Sequence, residues 1–181
     1  MIVKKTDLPD VLLLEPRVFP DARGFFLESF NARTWREAVG FLPDFVQDNH
    51  SRSRRGVVRG LHYQVRHVQG KLVQAVRGEI YDVAVDLRRG SPTCGKWTAA
   101  TLSGDNHRQL WIPPGFAHAF LTLSDEADVL YKTTDYYDRD AERCIRWDDP
   151  DLGIAWPLPA AAVLSEKDRG AVPLREAELF D

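Results

Sequence analysis

The sequence predicts an all-β domain in which antiparallel strands pack as a sandwich or barrel, with a few short helices. Short blocks of alternating apolar and polar residues recur along the chain, and turn residues separate them. That pattern is typical of half-buried antiparallel strands. A jelly roll is a common arrangement of such strands. A parallel nucleotide-binding fold is not favoured, because the sequence has neither Gly-x-Gly-x-x-Gly nor strands that alternate with long helices.

The individual elements follow from the same pattern. Helical periodicity is confined to residues 32–39, which Gly40 ends, and to residues 166–170. Gly78 is expected to make a tight hairpin between two strands. From residue 157 onward we expect loop and a terminal helix, so the whole chain, 1–181, is predicted to be one domain. The predicted strands cover residues 11–18, 25–30, 57–64, 72–77, 80–87, 96–102, 109–112, 119–123 and 129–134.

Composition excludes several classes of protein. A formal net charge of -3 is not that of a nucleic-acid-binding protein. The first residues turn polar early and no apolar run is long enough to span a bilayer, so we expect neither a signal peptide nor a membrane segment, and a cytoplasmic location. Cys94 and Cys144 are far apart and are expected to be reduced thiols.

One basic segment stands out in this mildly acidic chain. It contains Arg52, Arg54, Arg55 and Arg59 within ten residues, 51–60. Such a run is usually a solvated surface, but it can also bind a small anion such as a diphosphate. The sequence leaves both interpretations open.

Two histidines lie on or beside predicted strands, at His62 and His118. Inward-facing residues of neighbouring strands in a jelly roll converge on a common cavity. His118 ends a Pro-x-Gly-x-x-His pattern that resembles the second motif of the cupin superfamily. A metal-binding cupin would need a second histidine where Gln64 stands and a glutamate near Lys71. Because a protonated lysine repels a divalent cation, we expect an anion-binding pocket with no metal ligands.

Longer motifs follow one another over nearly the whole chain. They are FVQDNHS (45–51), GVVRGLHYQ (56–64), QGKLV (69–73), VAVDLR (83–88), QLWIP (109–113), GFAH (115–118), LYKTTDYY (130–137) and LSEKD (164–168). With these motifs, in this order, the sequence resembles the dTDP-4-dehydrorhamnose 3,5-epimerase family. The resemblance implies a cupin-like jelly roll that inverts C3 and C5 of dTDP-4-dehydro-6-deoxy-D-glucose without a cofactor, in dTDP-rhamnose biosynthesis for cell-surface polysaccharides.

The chemistry of such an inversion can be compared with the residues present. A proton beside a ketone is removed by a base on one face, an acid returns a proton from the other face, and a cation stabilises the enolate oxygen. The resemblance implies that His62 is the base and that Asp168 holds its imidazole. It also implies that Tyr131 is the acid, that Lys71 lies beside the C4 oxygen, and that His118 assists there.

The resemblance also implies residues that bind the nucleotide. Guanidinium and ammonium groups suit a diphosphate, and the candidates are Arg23, Arg59 and Lys167. Tyr137 matches a position that stacks on thymine. In the family some of these contacts come from a neighbouring subunit through exchange of an N-terminal strand, so a homodimer is expected. The other candidate contacts to the base and sugars are Phe26, Glu28, Gln47, Asp48, Asn49 and Glu142.

Three alternatives remain open at this stage. A related epimerase that inverts only C3 or only C5 shares much of this residue set, and only product analysis separates it. A non-catalytic sugar-binding cupin would lack the base or the acid. A metal-dependent cupin oxygenase or isomerase would restore the histidine and glutamate ligands. The sequence carries neither of these last two signs.

Overall fold

The computed structural model describes residues 1–157 and 161–181, and most of its elements are strands. The helices are α1 (Ala32–Val39) and α2 (Glu166–Arg169), and a 3-10 turn covers Leu174–Glu176. Within the described residues, no helix has the length and hydropathy required to cross a membrane. The strands are β1 (Ile2–Lys5), β2 (Leu12–Glu15), β3 (Val18–Asp21), β4 (Gly24–Leu27), β5 (Gln47–Arg54), β6 (Val58–Gln64), β7 (Lys71–Arg77), β8 (Glu79–Asp86), β9 (Trp97–Ser103), β10 (Gln109–Ile112), β11 (Phe116–Thr122), β12 (Glu126–Thr133) and β13 (Glu142–Cys144).

The strands form two antiparallel sheets, which confirms the predicted all-β class. One sheet has six strands in the order β1-β2-β10-β7-β12-β5, and the other has five in the order β13-β6-β11-β8-β9. Neither order closes on itself, so the arrangement is a sandwich and not a barrel. β3 and β4 pair only with each other and form a separate two-stranded ribbon.

Buried side chains fill the space between the sheets and also cover the outer face of the five-stranded sheet. The inner cluster includes Val73, Leu110 and Phe120, each less than 4% exposed. The outer cluster is built on Leu61 and Val85, and the C-terminal segment packs against it through Trp156, Leu174 and Phe180. Each such aliphatic or aromatic side chain contributes about 1.5–3 kcal/mol when it leaves water. Because β11 is the middle strand of the five-stranded sheet and contributes residues to both clusters, it is buried along its whole length.

Some elements end where they were expected to end. α1 covers the predicted residues, because the Asn31 side chain accepts hydrogen bonds from two backbone amides at its start and Gly40 adopts φ 91° at its end. β10 also has the predicted bounds. Residues 158–160 of the predicted C-terminal loop lie outside the described residues.

Other predictions were wrong in detail. The strand expected at 11–18 is two strands, since Pro16 cannot donate to a sheet and interrupts them. β1, β5 and β13 were not predicted. The expected hairpin at Gly78 is not a hairpin, because β7 belongs to the six-stranded sheet and β8 to the other. Gly78 instead carries the chain from one layer to the next.

Candidate active site

A cavity of about 310 Å³ opens between the two sheets. The six-stranded sheet lines it from β5, β7 and β12, and the five-stranded sheet lines it from β6 and β11. Most of the predicted site residues converge there. They are Gln47, Asn49, Arg59, His62, Lys71, His118, Tyr131, Tyr137, Glu142 and Lys167.

Asp168 lies directly behind His62 and fixes the imidazole. Nε2 of His62 lies 2.6 Å from Oδ1 of Asp168, which is 4% exposed. Burial opposes ionisation of this carboxyl, but hydrogen bonds from His62 and from the Ser165 hydroxyl outweigh it and lower the pKa of Asp168 to about 2. An ionised Asp168 accepts a hydrogen bond from the Nε2–H group of His62, so the lone pair of the imidazole lies on Nδ1. Burial lowers the pKa of His62, so its imidazole is neutral and able to act as a base.

Cys144 neighbours this pair. It lies opposite His62 in the pairing of β13 with β6, and its Sγ is 3.6 Å from Oδ1 of Asp168. Burial and the charge of Asp168 raise the pKa of the Cys144 thiol to about 12. The thiol is therefore protonated and is not a nucleophile.

Lys71 lies at the start of β7 and brings a cation into the cavity, where its ammonium reaches the backbone of β6. It is 8% exposed, and within the described residues its ammonium has one hydrogen-bond partner, the His62 carbonyl oxygen at 3.4 Å. Burial lowers the pKa of Lys71 to about 8, against the attraction of Glu142 and Asp82. An ammonium with so few internal partners is available to a negatively charged ligand.

Tyr131 projects into the cavity from β12. Burial raises the pKa of its phenol, so the hydroxyl keeps its proton at neutral pH. His62 lies on the five-stranded sheet and Tyr131 on the six-stranded sheet. A molecule held between the sheets therefore meets a base on one side and a proton donor on the other.

A second histidine–aspartate pair was not predicted. Nε2 of His118 lies 2.7 Å from Oδ1 of Asp82, and both residues are buried. The available signal was Asp82 in the middle of β8, because an acidic residue among apolar neighbours on a strand is uncommon without a partner. The cavity is also lined by residues of the quoted motifs that had been given no role. They are Ser51, Tyr63, Gln64 and Gln69, and Phe120, two residues after the GFAH motif, lines the cavity as well.

At the mouth of the cavity, three polar side chains form a network. The Tyr137 hydroxyl donates to Oε2 of Glu142 at 2.9 Å, and Nζ of Lys167 lies 2.7 Å from Oε1 of the same carboxylate. Lys167 and Tyr137 remain half exposed. These groups can exchange partners with an incoming polar ligand without moving the strands.

The basic segment is divided between different surfaces. Arg59 alone of its four arginines lines the cavity, where its Nε donates to Oγ of Ser53 at 2.8 Å. Arg52 pairs with Asp128 and Arg55 with Asp125. The division follows from the elements that carry these residues, since Arg52 lies on β5, Arg55 follows that strand, and Arg59 lies on β6 of the other sheet.

Besides Asp168, which reaches the cavity through His62, four predicted residues do not line this cavity. Asp48 faces the other side of β5 and pairs with Lys132 at 2.9 Å. Arg23 pairs with Asp21 at the tip of the β3–β4 ribbon, and its side chain is 90% exposed. Phe26 is 66% exposed on the same ribbon. Glu28 lines a separate cavity of about 220 Å³.

Known proteins resemble this chain closely. Residues 5–176 match the family model of dTDP-4-dehydrorhamnose 3,5-epimerase. An enzyme of that name from Pseudomonas aeruginosa is 61% identical over 96% of each chain. A dTDP-6-deoxy-D-glucose-3,5-epimerase from Legionella pneumophila, solved with dTDP-4-keto-L-rhamnose, is 50% identical, with a TM-score of 0.95 over 97% of this chain and 94% of that one. A 3'-monoepimerase from Streptomyces bikiniensis, solved with dTDP-quinovose, is 34% identical. The match has a TM-score of 0.89 and covers 97% of this chain and 88% of that one.

These likenesses cover sequence and structure together. The matched region includes the strands that line the cavity and the segment that carries Asp168. The two-sheet architecture is the cupin-like jelly roll of the solved relatives. The chain is a member of the dTDP-4-dehydrorhamnose 3,5-epimerase family.

Proposed function

We propose that the chain inverts C3 and C5 of dTDP-4-dehydro-6-deoxy-D-glucose and releases dTDP-4-dehydro-L-rhamnose. One observation carries the proposal. His62, hydrogen-bonded to Asp168, lines the cavity from one sheet, and Tyr131 and Lys71 line it from the other. Inversion beside a ketone needs this set of groups, namely a base, an opposed acid and a cation.

In the proposed mechanism, the reaction begins with proton removal by His62. Nδ1 takes the proton from the carbon next to the ketone, and Asp168 stabilises the imidazolium that forms. The electron pair moves to the C4 oxygen, where the ammonium of Lys71 stabilises the enolate. Tyr131 then delivers a proton to the opposite face of the carbon and is reprotonated from solvent. His118, oriented by Asp82, is proposed to donate a hydrogen bond in the same region.

The remaining cavity residues are proposed to bind the nucleotide. Arg59 and Lys167 supply positive charge for the diphosphate, and Tyr137 supplies a ring for thymine. Asp48 keeps its ion pair with Lys132 in this assignment, because its side chain lies on the outer face of β5. The polar side chains proposed for the base and sugars are Gln47, Asn49 and Glu142.

A homodimer is proposed to complete the site. Phe25 and Phe26 are 60% and 66% exposed on the β3–β4 ribbon, an apolar surface that a second copy can cover. We propose that this ribbon carries Arg23, Phe26 and Glu28 to the partner's cavity. We also propose that the whole chain acts as one catalytic domain. The free Cys94 and Cys144 favour a cytoplasmic location.

The direct test is incubation with dTDP-4-dehydro-6-deoxy-D-glucose in deuterated water, followed by NMR of the sugar. Double inversion predicts deuterium at both C3 and C5 and a product with the L-configuration. The absence of exchange at both carbons would overturn the proposal.

Inversion of a single centre is the second candidate. The observation that favours it is the solved 3'-monoepimerase, which shares this fold at a TM-score of 0.89. In the same NMR experiment, such an enzyme gives a product inverted at one carbon only. Configuration at both carbons, measured on the isolated product, therefore separates the two functions.

A further inference from the structure

Three side chains with metal-binding atoms meet behind the imidazole of His62. Nε2 of His62, Sγ of Cys144 and a carboxylate oxygen of Asp168 all lie within 4.8 Å of one another. In the part of the chain that the structure describes, no other three His, Cys, Asp or Glu side chains come this close. The cluster joins three elements, since the residues belong to β6, β13 and α2.

The donor set suits a thiophilic cation. Imidazole, thiolate and carboxylate are the ligands of tetrahedral zinc sites, in which neighbouring donor atoms lie roughly 3.3–3.8 Å apart. His62 and Asp168 are closer than this, at 2.6 Å, while Cys144 and Asp168 are at 3.6 Å. Side-chain movements of about 1 Å would bring the three into that geometry, and water can fill the fourth position.

Asp168 brings a carboxylate to the cluster. The nearby ammonium of Lys167 is held by the carboxylate of Glu142 at 2.7 Å, so this neighbouring pair is neutral, and Lys71 lies on the cavity side of His62. Binding of Zn²⁺ replaces the S–H bond of Cys144 by a Zn–S bond and releases that proton to solvent. Nε2 of His62 loses its proton to solvent and binds the metal, while Nδ1 takes a proton from solvent, so the ring stays neutral and the net release is the single thiol proton.

We propose that His62, Cys144 and Asp168 form a binding site for Zn²⁺ or a similar thiophilic ion, and that occupancy switches the enzyme off. With Nε2 bound to metal and Nδ1 protonated, His62 has no lone pair for a substrate proton. The site differs from the metal position of a cupin, which would lie on the cavity side near Gln64 and Lys71. The loss of activity rests on the proposed role of His62, whereas the metal site itself does not.

The first test measures inhibition by Zn²⁺ alone in wild type, Cys144→Ala and Cys94→Ala. Cys94→Ala is the matched control, because it removes the other cysteine and leaves the cluster intact. We expect Zn²⁺ to inhibit wild type and Cys94→Ala at the same concentration, and EDTA to restore both. Cys144→Ala should require at least about tenfold more Zn²⁺, as expected when a metal site loses a ligand. Equal sensitivity of all three proteins would overturn the proposal.

The second test needs no substrate. Co²⁺ bound to a thiolate gives a charge-transfer band in the near ultraviolet, which we expect in wild type and Cys94→Ala but not in Cys144→Ala. Cys144→Ser, which keeps the size of the side chain, replaces the alanine variant if that one does not fold. A band that persists without Cys144, or that disappears without Cys94, contradicts the site even if the epimerase activity is as proposed. A band that follows Cys144 supports the site even if the activity is not.

Discussion

His62 lies between groups that act on it in opposite ways. The carboxylate of Asp168 at 2.6 Å favours a protonated imidazole, while burial and the nearby ammonium groups of Lys167 and Lys71 disfavour it. Burial prevails in the free enzyme, and the pKa of His62 falls. The ring therefore starts neutral and gains a charge only when it takes a proton, at which point Asp168 is already in place.

Exchange of deuterium separates the base from the acid. His62→Ala should abolish exchange at C3 and C5 and lower kcat by about 10²–10⁴-fold, because no carbanion forms without the base. Tyr131→Phe should keep exchange while inverted product falls, since deprotonation needs only His62. Asp168→Asn should resemble a milder His62→Ala. NMR of the three variants in deuterated water makes the measurement, and exchange that survives in His62→Ala but vanishes in Tyr131→Phe would reverse the roles.

Deprotonation of Lys71 should produce the alkaline limb of the pH profile of kcat/KM. The pKa of Lys71 is about 8, so the cation is present below that pH and is lost as the pH rises through it. We expect kcat/KM to fall over this window, while the raised pKa of Tyr131 keeps the phenol out of it. Lys71→Arg retains its charge at every pH in the range and should remove the alkaline limb, whatever its absolute rate. The limb remaining unchanged in Lys71→Arg would show that another group causes it.

On β6, the site residues Arg59 and His62 lie on either side of Gly60, where the backbone of β6 packs closely against β11. Gly60 lies between Arg59 and His62 at φ 124°, and a Cβ there would come within 2.5 Å of the His118 carbonyl oxygen and would also overlap Ala119. The pairing of β11 with β6 changes register between His118 and Phe120. The two strands therefore fit together only with glycine at this position.

Replacing this glycine should affect both stability and activity. We expect Gly60→Ala to lower the free energy of unfolding by about 2–3 kcal/mol, because the added carbon pushes β6 away from β11. Activity should fall as well, since Arg59 and His62 move with the strand. Gly90→Ala is the control, because a Cβ at Gly90 meets nothing within 4 Å. Thermal unfolding of both variants checks this, and equal melting temperatures would contradict it.

The helices and strands differ in how far the sequence could predict them. α1 could be predicted because its capping residues act locally, through Asn31 and Gly40. β5 could not, since one face lines the cavity and the other meets solvent, so the strand has no apolar alternation. The partner of His118 was missed because it comes from another strand. Asp82 lies on β8, which pairs with β11, and a single sequence does not show which strands pair.

At the scale of the whole molecule, the β3–β4 ribbon stands apart from both large sheets, because its two strands pair only with each other. Phe25 contacts the ring of His107, but most of its surface is exposed, as is that of Phe26. The side chain of Arg23 at the tip reaches no described residue other than Asp21 by hydrogen bond or ion pair. An exposed apolar ribbon of this kind suits the proposed dimer contact.

Mixing of inactive subunits tests that assembly. Arg23→Ala and His62→Ala subunits, dissociated and then combined, should regain roughly a quarter of wild-type activity, because random pairing makes half of the dimers mixed and each mixed dimer has one intact cavity. Arg59→Ala mixed with His62→Ala is the control and should regain none, since both residues line the same cavity. No recovery in the first mixture would mean that Arg23 does not act from the partner's ribbon.

The order of strands in the six-stranded sheet also affects how the chain folds. Leu13 pairs with Leu110 and Ser51 with Val129, so the sheet forms only after long loops have closed. Sheets with such distant pairings fold in milliseconds to seconds, far more slowly than helical bundles. Because Asp168 follows His62 by 106 residues, the base is oriented only after that stretch has been synthesised and Asp168 has docked against β6. On the ribosome, epimerase activity should therefore appear only after the segment that carries Asp168 has emerged.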